Sequence, residues 1–150
     1  MDVLNQKEIM SLYLCGGYTK YNEIKIEGKI TCDLTQMFGY KHFEVIDLSD
    51  AEFIVEDKEE NICLGYSHCG PVYSSRICTR HYDYLEMFVE DIVTDKIILP
   101  SSIKRKHMNR IKNNKNIKEV VVADECSLFS MKDGDVYNKK GTILVFSNKR

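Results

Sequence analysis

One hundred and fifty residues, 43% hydrophobic and 29% charged with two prolines, suffice for one domain with a real core and exclude a disordered, collagen-like or low-complexity chain. The 21 basic and 23 acidic side chains leave a formal charge of −2, so attraction to nucleic acid or an anionic membrane requires a local patch. No window approaches the roughly 20 continuous apolar residues of a spanning helix, and Met1 to Lys7 lacks a basic segment leading into an apolar one. The six cysteines then read as reduced thiols of a cytoplasmic protein; removal of a leader would make the chain a secreted or cell-surface one and reopen the disulfide question.

In chain order, Asp2 to Cys15 spaces Val3, Ile9, Met10 and Leu14 at helical intervals, with Asp2 as N-cap and Gly16-Gly17 as a stop, and predicts a short amphipathic helix. Four later segments share the spacing apolar-x-x-apolar-x-apolar: Tyr21, Ile24, Ile26; Phe43, Ile46, Leu48; Thr94, Ile97, Leu99; and Ile117, Val120, Val122. Only Thr94 breaks the rule, and the last members lie 22, 51 and 23 residues apart. Self-similarity at that period predicts one short strand and a returning arm per unit, each unit burying its neighbour's apolar row.

On such strands the fourth and sixth positions point inward and the residue between them points out. Glu23, Lys25, Val45, Asp47, Lys96, Ile98, Glu119 and Val121 are therefore the candidate partner-binding face. Ile98 and Val121 are apolar where a solvated ladder is normally polar, which marks an interface or a surface covered by the long insert.

The excess length between Leu48 and Thr94 holds an acidic run (Glu56, Asp57, Glu59, Glu60) and a Cys/His/Tyr/Gly-rich loop, read as an irregular insert at about 56–81. Leu85, Phe88, Val89 and Ile92 then form one apolar stripe and predict a helix from Tyr82 to Val93. Lys104 to Lys118 carries seven Lys/Arg and no acid around Ile103, Met108 and Ile111, which fits a helical return arm with a basic outer face. Finally, Asp135-Val136-Tyr137 and Thr142 to Phe146 flank the polar link Asn138-Lys139-Lys140-Gly141, a hairpin signal.

The segments Ile24 to Ile30, Val45 to Ala51 and Ile97 to Ile103, with the tail Asp133 to Thr142, resemble the bacterial BspA-like leucine-rich repeats. The resemblance covers residues 20–55 and 85–147 and implies a right-handed solenoid of parallel strands in which Leu99-Pro100 closes a strand. It implies no catalytic residues, because such domains are associated with protein recognition, often at bacterial surfaces. Residues 56–81 have no counterpart in that family.

Cys63, Cys69, Cys78 and His81, with His68 nearby, are donors of the kind zinc takes four at a time. They lack a C-x-x-C knuckle and offer only Cys78-x-x-His81 as a close pair, so small buried thiols and solvated histidines are the preferred reading. A nucleophilic Cys69 or Cys78 with His81 as base and Asp83 as orienter can be drawn, as it can in most loops of this composition. The basic 104–118 arm has no aromatic residue to stack a base, so nucleic acid is not the expected partner. The expected molecule is one α/β leucine-rich-repeat domain over 1–150, a short solenoid with an N-terminal helical cap and a C-terminal β-hairpin cap. It is expected to bind protein without catalysis or cofactor; a zinc-stabilised regulatory or nucleic-acid-binding module is the alternative.

Overall fold

A computed structural model of the chain describes residues 1–15, 21–39 and 41–149. In chain order the elements are β1 (Asp2–Leu4), α1 (Gln6–Cys15), β2 (Glu23–Ile30), α2 (Thr35–Phe38), β3 (His42–Phe53), β4 (Val55–Ser67) and β5 (Gly70–Asp83). There follow α3 (Tyr84–Asp91), β6 (Val93–Leu99), α4 (Arg105–Asn113), β7 (Ile117–Val122), β8 (Phe129–Lys132), β9 (Asp135–Asn138) and β10 (Leu144–Phe146). The fold is mixed α/β: β1, β2, β3, β6 and β7 form a five-stranded sheet in that order, with every neighbouring pair parallel.

The four apolar triplets explain this order. Ile24, Ile46, Ile97 and Val120 sit in register across β2, β3, β6 and β7. They are fully buried, as are Ile26, Leu48 and Leu99. Ile9, Phe38, Leu85, Phe88, Met108 and Ile111 of the four helices enter the same core, and the helices pack on one another in chain order. Each such Ile, Leu or Phe removed from water contributes about 1.5–3 kcal/mol, so the sheet's inner face and the helical layer hold one another in place. Thr94 fits the apolar row because its Oγ1 donates to the Lys96 carbonyl at 3.0 Å, which removes the cost of burying an unpaired hydroxyl.

The structure corrects the predicted elements in three places. Residues 2–4 are an edge strand, not the first turn of a helix, and Val3 pairs beside Lys25. The helix cap is Asn5, whose Oδ1 accepts from the Glu8 amide at 2.9 Å while Glu8 reaches back to the Asn5 amide, a reciprocal cap three residues long. The predicted Gly16-Gly17 stop lies outside the described residues. The insert is not irregular: β4 and β5 pair antiparallel from Val55/Asp83 to Ser67/Gly70, with irregularities around Cys63. At the C-terminus the predicted hairpin is present as β9 and β10, and β8 joins it to make a three-stranded antiparallel sheet.

Three polar side chains fasten these units. The buried Asp83 caps α3 by accepting from the Glu86 amide at 3.0 Å, and its Oδ2 meets His107 Nε2 at 2.9 Å and Lys106 Nζ at 2.6 Å. His107 Nδ1 accepts from the Lys104 amide at 2.9 Å, so the proton of the neutral ring sits on Nε2 and is donated to Asp83. Asn114, at the end of α4, donates to the carbonyls of Val89 and Ile92 at 3.0 and 2.9 Å and accepts from the Asn116 amide. Asn148 pairs with both the amide and the carbonyl of Val120, occupying part of the open edge of β7 that would otherwise invite another strand.

Candidate functional site

The eight residues predicted to face outward assemble into two rows. One row runs Glu23, Val45, Lys96, Glu119 across β2, β3, β6 and β7; the next runs Val3, Lys25, Asp47, Ile98, Val121 from β1 to β7. Neighbours along a row are spaced by the distance between strands, about 4.8 Å. Val3, missed because residues 2–4 read as helix, extends the second row by one position and is 45% exposed.

The rows divide by chemistry. Acid and base alternate at one end, where Lys25 stands beside Asp47 and forms an ion pair with Asp50 at 2.7 Å; the hydrogen bond to Asp50 raises the Lys25 pKa. At the other end Ile98 and Val121 are half-buried neighbours. Among the described residues neither β4 nor β5 packs extensively on β6 or β7, which favours the interface alternative over a cover formed by the insert. Below the rows, Asp95 meets His42 Nε2 at 2.8 Å and Lys118 Nζ at 3.2 Å, and these partners hold its carboxyl below the usual carboxylate range. The face thus carries an apolar pair at its β6–β7 end, with Lys96 and Glu119 in the neighbouring row and the Lys25–Asp50 ion pair toward β2.

The Cys/His set is spread along the arm. Cys69 lies in the turn, Cys63 pairs opposite Tyr73, Cys78 opposite Glu60 and His81 opposite Asp57. At about 3.3 Å per residue, Cys69 and His81 lie some 40 Å apart along the strand. Among the described residues no group of three His, Cys, Asp or Glu is close enough to hold a metal ion. His81 Nδ1 bonds Asp57 at 2.7 Å and Asp83 bonds His107, so the drawn Cys–His–Asp arrangement is not assembled. All six cysteines are free; Cys126 is a buried core residue, and burial pushes the half-buried Cys32 thiol up, away from thiolate chemistry.

The basic 104–118 arm is less basic in space than in sequence. Lys106 is paired with Asp83, Arg110 with Glu86 and Glu90 of α3, and Lys118 with Asp95. Lys104, Arg105, Lys112 and Lys115 make no ion pair among the described residues. The acids that neutralise the other three come from elements 20 or more residues away in sequence, which a window over the arm does not see.

No protein-family model matches the chain, and neither a curated protein nor a solved structure does. Among the described residues no helix is long and apolar enough to cross a membrane.

Proposed function

We propose that this chain is a non-enzymatic protein-interaction module of leucine-rich-repeat type, built as a short solenoid, and that its partner lies across the outer rows of the parallel sheet. The observation that carries the reading is the register itself: four sequence repeats become four parallel neighbours in chain order, with Ile98 and Val121 side by side among charged residues. An outward-facing apolar pair at the β6–β7 end of the sheet, beside charged residues, is the kind of patch that marks a protein interface. The two hydrophobic side chains supply affinity through the water they release, while Lys25, Asp47, Lys96 and Glu119 set orientation through charge.

Affinity capture with the wild-type chain and with an Ile98→Lys/Val121→Lys variant tests the reading. A partner held by the face is expected to lose at least tenfold in retention with the variant, whose circular dichroism should remain that of the wild type because both side chains are on the outer surface. A directly binding protein retained equally by both would overturn it.

A further inference from the structure

A second surface lies away from the strand rows, in the trough between α4 and the C-terminal three-stranded sheet. It opens as a cleft of about 350 Å³, at the small end of the roughly 300–1,000 Å³ range of ligand pockets. Its apolar lining is Met108 from α4 with Leu128, Phe129, Ile143 and Val145 from the C-terminal sheet region. An adjoining hollow of about 300 Å³ shares Arg105, Leu128 and Asn138 with it and adds Lys139 and Lys140.

Charge along this trough has one sign. Arg105, Lys112, Lys139 and Lys140 line it, and no Asp or Glu does. None of the four makes an ion pair among the described residues; Lys139 donates only to the Asp124 carbonyl, at 2.9 Å. Arg105 also opens α4, whose first turn contains no acid, so it opposes the helix dipole rather than complementing it. The rim is built, too. Asn138 Oδ1 accepts from the Thr142 and Ile143 amides at 2.8 and 3.1 Å, and the Asn138 amide donates to the Ile143 carbonyl at 2.9 Å. These bonds fix the turn that holds Ile143 64% exposed at the mouth of the cleft.

We infer that this trough binds an acidic peptide segment of a protein partner, with one aliphatic or aromatic side chain in the cleft between α4 and β10 and flanking carboxylates on Arg105, Lys112, Lys139 and Lys140. The cleft has room for a side chain rather than a folded element, and the unopposed cations specify the sign of what surrounds that side chain. Because no residue of the strand rows lines the trough, this site is separate from the proposed face.

Selection of a random dodecapeptide library against the full chain tests it. The expected winners carry at least two Asp or Glu within four residues of a large apolar side chain. The best of them, synthesised with a fluorescent label, should bind at least tenfold more weakly to Arg105→Glu/Lys140→Glu and to Ile143→Asp, and more weakly as salt rises from 50 to 500 mM. It should bind Ile98→Lys/Val121→Lys as it binds wild type, which separates this site from the strand face. The inference is overturned if no peptide is enriched, if the winners are neutral or basic, or if binding survives the double charge reversal. It is equally overturned if the chain sediments with phosphatidylserine vesicles through Arg105 and Lys140 while the acidic peptides do not compete.

Discussion

Asp83 shows how much one side chain can hold. Burial alone would raise its pKa, but Lys106, the Glu86 amide and His107 outweigh it and bring the value from 3.8 down to about 2. A carboxyl whose folded pKa is depressed contributes stability above its unfolded pKa and loses it as pH falls toward the folded one. Here that contribution, about 2 kcal/mol, is complete above pH 4 and disappears between about pH 4 and 2. Asp83→Asn keeps an oxygen for the α3 cap and removes the charge. It is expected to lower unfolding free energy by about 2 kcal/mol at pH 7 and to flatten the stability profile below pH 4, as urea unfolding across pH would record. The Asp83–His107 bond was not legible in the sequence. In the sequence Asp83 figures only as an orienter for His81 and nothing singles out His107; 24 residues separate the true partners. Asn114 and Asn148 were missed for the same reason, since each satisfies backbone groups of a distant segment.

At the scale of elements, buried strands were legible and exposed ones were not. The triplets around 25, 46, 98 and 120 announce themselves because one face must be apolar, and the rows of outward residues follow from strand alternation. The arm formed by β4 and β5 has no buried face, so its side chains obey no such alternation. Glu56, Asp57, Glu59 and Glu60 are poor strand formers by propensity. Near the base the arm is held by charge and hydroxyl pairs: Tyr82 to Glu60, Tyr84 to Glu56, Lys58 to Glu56 and His81 to Asp57. Its outer half instead exposes apolar side chains, with Leu64 at 68% and Tyr66 at 84%. A two-stranded ribbon of this kind has little stability of its own in water, and among the described residues no other element packs extensively on either of its strands. Joining Glu60 to its partner Cys78 through an Asn-Gly turn should therefore leave the melting temperature within a few degrees of wild type. A large drop would mean that the distal arm supports the core.

Across the whole molecule, the parallel order and the identity of the terminal hairpin could be read from spacing, and β8 could have been, since Asp133-Gly134 is a two-residue hairpin link to β9; β1 and the trough beneath Ile143 arise only when distant segments meet. The arm's position in the chain matters more than its shape. It interrupts the polypeptide midway, between β3 and β6, yet those two strands pair directly from His42/Val93 to Asp47/Ile98. The seam between the first and second halves of the chain is thus a hydrogen-bonded ladder over a buried core, and the covalent link runs far outside it. Residues 1–68 and 69–150 produced as separate polypeptides are expected to reassemble into a one-to-one complex with the circular dichroism of the uncut protein. Independent elution of the two pieces from a sizing column would show that the peptide bond at the tip is needed after all. A protein so wired tolerates a nick, or a foreign domain spliced in, at its most exposed point.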